Sequence, residues 1–131
     1  MKTMKQWTLT ACLLIAGLSF SAFATAAADN DALETVEDYL AALMAGDVEG
    51  VRETLGGFLA SERDALLSNP NYSTSLRRAY AGADYRIVHS EQLPDGSARV
   101  DAELLLADDQ ALSVQFVLEA QDSGYKIVSE N

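Results

Sequence analysis

Cysteine and histidine are almost missing from this chain: Cys12 and His89 stand alone among 131 residues. That scarcity excludes a zinc site of ordinary type, which draws several ligands from these two residue types. Cys12 falls in the first fifteen residues, so the rest of the chain has neither a disulfide nor a thiol nucleophile. Positive charge is scarce as well, with nine Lys and Arg against twenty Asp and Glu. A surface so acidic repels phosphate backbones and anionic lipid heads, which argues against nucleic acid as a partner. No phosphate loop, dinucleotide fingerprint or hydrolase elbow is present. "DND" at 29–31 and the pair Asp108-Asp109 lack the glycine-containing pattern of a calcium loop. No cofactor and no metal are therefore expected.

What is there begins with a targeting signature. Lys2 and Lys5 form a basic start, and Trp7 to Phe23 is apolar, rich in small residues and uncharged. Ala22-Phe23-Ala24, Ala24-Thr25-Ala26 and Ala26-Ala27-Ala28 each satisfy a small-x-small cleavage rule. "LTAC", residues 9–12, has the local form of a lipoprotein signal, but the apolar run continues beyond Cys12 to Phe23, so Cys12 belongs to the discarded segment. The reading is a cleaved signal peptide over 1–27, a periplasmic or secreted location, and no membrane attachment after cleavage. Removing 27 of 131 residues leaves 104, enough for one domain over 28–131 and one core. That domain keeps all twenty acidic residues and seven basic ones, a net charge of −13.

The domain divides into a helical half and a strand half. Leu33, Val36, Leu40, Leu43 and Met44 recur at helical spacing. Asp31, Glu34, Glu37 and Asp38 crowd the early turns, where the helix dipole favours them. Gly46 stops this helix and Asp47 caps a second, shorter one carrying Val48, Val51 and Leu55, which Gly56-Gly57 ends. Ser61 and Asp64 resemble a capping box ahead of Leu66 and Leu67; Asn69-Pro70-Asn71 breaks the chain; a last helix starts near Ser73 and ends at Gly82.

From Tyr85 the period changes to two, and "YRIVHSEQL", "ARVDAELLL", "LSVQFVLEA" and "YKIVS" read as four strands. A two-residue Asp95-Gly96 hairpin predicts Glu91 opposite Val100, His89 opposite Ala102 and Ile87 opposite Leu104. A three-residue loop over Asp108–Gln110 predicts Leu104 opposite Val114 and Ala102 opposite Phe116. One face of this antiparallel meander is apolar and needs a cover, which the helices supply. The expected class is α+β, with N-terminal helices packed on one face of a four-stranded sheet.

The segments "VEDYLAALMAGDVEGVRETL" and "YKIVS" resemble the opening and the closing strand of the nuclear-transport-factor-2-like superfamily, the cystatin-like α+β roll. The resemblance spans roughly residues 31 to 129. It implies that fold, and a function among ketosteroid isomerase, scytalone dehydratase, cyclases and many non-catalytic binding domains. No catalytic motif of the catalytic members stands at matching positions, so no residue role is carried over.

On the predicted register His89 and Glu91 face inward beside small partners and could border a cavity, with Glu91 supporting His89 as a general base. A one-residue bulge in the hairpin would put both on the outer face instead. Tyr39, Tyr80, Tyr85, Ala102 and Phe116 are the candidate lining of that interior. Two functions follow. One is an exported acidic binding or protein-interaction domain, with a protein or small apolar ligand as partner and a homodimer left open. The other is a small-ligand enzyme of isomerase or dehydratase type using His89 and Glu91.

Overall fold

The computed structural model describes residues 28–131; the proposed signal peptide and Cys12 lie outside the described residues. Helix α1 spans Asn30–Ala45, and Asp29 caps it by accepting the Asp31 N–H at 2.9 Å. Its inward stripe is Ala32, Val36, Tyr39, Leu40 and Leu43, a helical repeat of apolar side chains. Gly46 ends it in a left-handed conformation, φ 71°, and donates to the Ala42–Leu43 carbonyls. A side chain on Gly46 would meet Ser73 and Arg77, so the corner needs glycine for space as well as for φ. Asp47 then caps α2, Val48–Thr54, through the Gly50 N–H at 3.0 Å.

Leu55 leaves α2 extended and pairs with Ile127, while the Gly56 N–H donates to the Ile127 carbonyl at 2.9 Å. This tether starts α3 at Gly57, and α3 runs to Leu67. The expected start near Ser61 is four residues too late, because the Gly56 tether to the sheet edge outweighs the weak capping box. Helix α4, Tyr72–Ala79, packs against α1 and buries Leu76.

Four strands follow: β1 Asp84–Gln92, β2 Ala98–Leu105, β3 Ala111–Gln121 and β4 Gly124–Glu130, in the order β1-β2-β3-β4, all antiparallel. The fold is α+β as the sequence implies. Helices cover one face, where Val100, Ala102, Leu104, Phe116, Leu118 and Ile127 are buried. Tyr39 meets Phe116 edge to face, with centroids 5.6 Å apart and planes at 76°. Such a pair adds about 0.5–1.5 kcal/mol beyond the area it buries.

The turns differ from expectation and so does the register. Pro94 occupies the first central position of a type I turn, which its fixed φ favours. Gly96 follows at φ 90°, the Gly96 N–H donates to Leu93 and the Leu93 N–H to Ser97. The loop is thus three residues, Pro94 to Gly96, and Glu91 pairs with Arg99 and His89 with Asp101. A bulge at Val88 restores the phase, so Ile87 faces Ala102 and Tyr85 faces Leu104. The second hairpin also closes one step earlier than expected. Asp109 takes the left-handed position, φ 68°, and the Leu106 N–H reaches Gln110. Val100 therefore faces Phe116 and Ala102 faces Val114. Each of these β2–β3 pairs slips by two residues, which preserves the buried face.

Truncating Phe116 to alanine removes the aromatic that Tyr39 packs against. The expected cost is about 3–5 kcal/mol by urea denaturation; a loss under about 1 kcal/mol would contradict the packing described.

Candidate functional site

The His89–Glu91 pair forms, but on the outer face of the sheet. His89 Nε2 lies 3.2 Å from Glu91 Oε1, and the His89 side chain is 51 % exposed. Of the two placements the sequence leaves open, the outer one is found: the three-residue Pro94 loop, with a bulge at Val88, shifts the strand by one and turns every side chain from His89 to Gln92 over. Arg99 Nη2 sits 3.7 Å from Glu91 and 3.8 Å from Asp101, and Arg86 pairs with Glu103 at 2.7 Å. The imidazole thus belongs to a flat, charged surface network. Ala102 and Phe116, its expected neighbours, are buried on the opposite side of the sheet.

Nor do the five candidate lining residues enclose a chamber. Tyr39, Ala102 and Phe116 are packed into one continuous apolar core, and Tyr80 and Tyr85 sit half-buried at its margin. None of the five lines the groove along α1 or the smaller concavity beside Arg52 and Asp64.

The inner face instead holds a polar cluster that the sequence reading missed. Tyr39 donates its hydroxyl to both Glu130 carboxylate oxygens at 3.1 Å, and Arg63 Nη2 pairs with Glu130 Oε1 at 2.8 Å. Helix α1 supplies the phenol, α3 the guanidinium and β4 the carboxylate. Glu130 reaches this face through a second bulge, at Val128: Leu118 pairs with Ile127, Val117 with Ser129 and Phe116 with Glu130. Strict alternation along "YKIVSE" would turn Glu130 outward, so no signal in the strand itself points to the cluster. Burial, then the charge of Glu130, raises the Tyr39 hydroxyl far above the usual phenol range. Burial also raises Tyr80, with Glu130 adding to it. Burial alone would lower Arg63, yet its hydrogen bonds and charge partners hold it above its ordinary value. Chemically the cluster is spent on itself. The phenol stays protonated at neutral pH, and the Glu130 carboxylate is engaged by both Arg63 and Tyr39.

The prominent concavity lies elsewhere. A groove of about 960 Å³ runs between α1, α2 and the β3–β4 turn. Asp31, Glu34, Asp38, Asp47 and Glu53 line it, with Lys126 as its one cation and Ala41, Ala42 and Ala45 along its helix wall. Thr35 crosses the groove by donating to the Tyr125 carbonyl at 3.3 Å, and Lys126 Nζ is tied to the Glu53 carbonyl. Among the described residues no group of three or more His, Cys, Asp or Glu is placed to hold a metal ion. No described helix is long and apolar enough to cross a membrane.

No family model and no curated protein matches the sequence. A crystal structure of a proposed NTF2-like transpeptidase from Campylobacter jejuni does match the structure, with a TM-score of 0.53 at 14 % identity, over 73 % of this chain and 95 % of that one. The fold is NTF2-like. At that identity the likeness extends to architecture alone; in this chain Tyr39 and Phe116 pack edge to face inside the roll.

Two outcomes test the cluster. A double-mutant cycle over Arg63→Ala and Glu130→Gln, read by urea denaturation, should show coupling of about 0.5–3 kcal/mol; additivity within about 0.3 kcal/mol would mean the pair is idle. The second is alkaline stability. Tyr39 has a folded pKa raised above its unfolded value near 10, so its contribution is fully present below about pH 10 and is lost as pH rises further. Stability should fall above pH 10 by up to about 1.4 kcal/mol per pH unit for this one group. Tyr39→Phe should flatten that slope, leaving the smaller parts of Tyr80 and Tyr85. An unchanged slope would show that Tyr39 ionises freely.

Proposed function

We propose that this chain is an exported, non-catalytic binding domain that holds a basic segment of a partner protein along the groove between α1 and the β3–β4 turn. The observation that carries the reading is where the concavity lies. The helix–sheet interior is filled, and the open space of ligand-binding size is outside it, walled by carboxylates and small side chains. An open acidic trough suits a cationic chain better than a compact apolar ligand, because five carboxylates would lose water against the latter without compensation. Its alanine wall admits close approach of a backbone. Export is supported by the N-terminal composition. The isomerase or dehydratase reading gains no support, since His89 and Glu91 lie on the outer face of the sheet and line neither groove described. The transpeptidase name of the structural neighbour is likewise left with that protein: residues 28–131 contain no cysteine, and His89 is hydrogen-bonded to a carboxylate rather than to a hydroxyl.

The test is isothermal titration with a lysine-rich peptide and a glutamate-rich control at low and at physiological ionic strength. Binding of the lysine peptide alone is expected, weakening with salt. Neutralising Glu34, Asp38 and Glu53 together to their amides should weaken it roughly tenfold or more, at up to about 1 kcal/mol per exposed pair. Equal binding by the triple variant, or no binding at low salt, sinks the reading.

A further inference from the structure

The fold start carries information about processing that the sequence leaves undecided. Three bonds satisfy the small-x-small rule, after Ala24, after Ala26 and after Ala28. The first described residue, Ala28, is 5 % exposed and belongs to the apolar core. Its N–H donates to Ser90 Oγ at 3.3 Å, and the N–H of Asp29 donates to Gln92 Oε1 at 3.1 Å. Ser90 and Gln92 face inward because of the Pro94 loop and the Val88 bulge, so strand β1 holds the residues that enter α1. Asp29 also caps α1 through the Asp31 N–H, and its carbonyl accepts from Ala32 and Leu33.

We infer that signal cleavage falls at the Ala24–Thr25 or the Ala26–Ala27 bond, upstream of the 27/28 boundary read from the sequence, because a cut there would put the new ammonium on the buried Ala28, and that Ala28 is a structural residue of the mature protein. This extends the export part of the proposed function and is independent of the groove. The step is hydrolysis: water gives its hydroxyl to the acyl carbon of Ala24 or Ala26 and a proton to the departing amine, leaving a carboxylate on the leader and an α-ammonium on Thr25 or Ala27. Cleavage after Ala28 would instead remove a core residue. It would also place the new ammonium on Asp29, at the positive end of the α1 dipole, where a cation is unfavourable. A cut at either upstream bond keeps Ala28 as an ordinary amide and moves the ammonium at least one residue away from the cap.

The experiment expresses the full 131-residue chain in an export-competent bacterial host and weighs the product of the periplasmic fraction by intact mass spectrometry. A mass beginning at Thr25 or Ala27 is the expected result; a mass beginning at Ala28 or Asp29, or an uncut chain in that fraction, overturns the inference. A second measurement compares recombinant chains starting at Ala27 and at Asp29, each after a removable tag. The Asp29 form should melt about 4–8 °C lower. Equal melting temperatures would overturn the structural role of Ala28. Neither result depends on peptide binding, so failure here and failure of the groove reading are distinguishable.

Discussion

Everything in this fold depends on keeping one face of a four-stranded sheet apolar while both of its outer strands are bulged. A strand alternates strictly, so one inserted residue exchanges its faces. At β1 the three-residue Pro94 loop and the Val88 bulge cancel each other, and Tyr85 and Ile87 still look inward. Only the stretch between the two devices is inverted, and that stretch contains His89 and Glu91. At β4 the Val128 bulge comes after Ile127 and nothing cancels it, so the strand end is inverted and Glu130 looks inward. Two ionisable segments have changed places with respect to simple alternation, one leaving the core and one entering it.

The consequence for chemistry is direct. Had Glu91 and His89 stayed inside, a carboxylate and an imidazole would have shared a half-buried site without a cation. What enters instead is Glu130, and Arg63 and Tyr39 satisfy it at once. The partly buried Glu130 carboxylate thus has both a cation and a hydroxyl donor. With Tyr39 stacked edge-on against Phe116, the middle of the roll is solid. The NTF2-like architecture is kept, with Tyr39 and Phe116 packed together inside it, and the open groove lies outside, along α1.

The helical half was largely legible. The Gly46-Asp47 corner announces itself, because a left-handed stop followed by a carboxylate cap is local chemistry written in two adjacent residues. Val36, Leu40 and Leu43 follow helical spacing and are buried. The identity of the strands and the alternation of β2 were equally plain. The turns were less so. Asp95-Gly96 invites a two-residue hairpin, yet Pro94 ahead of it fixes the type I geometry, and Asp109 competes for the left-handed position in the next turn. Each choice shifts the pairing by a residue or two.

By itself, then, the sequence determined the class of fold, the order of its elements, the acidity of its surface and the residues that would build a core. These follow from local periodicity, capping and charge, which act over a few residues. Only the tertiary structure decided which ionisable groups meet. Tyr39, Arg63 and Glu130 come from three elements as far as 91 residues apart, and their meeting hangs on a bulge at Val128. A bulge is selected by how the sheet edge fits the Leu55–Gly56 tether and the helices above it, and that fit is a property of the assembled layers rather than of any short stretch of chain.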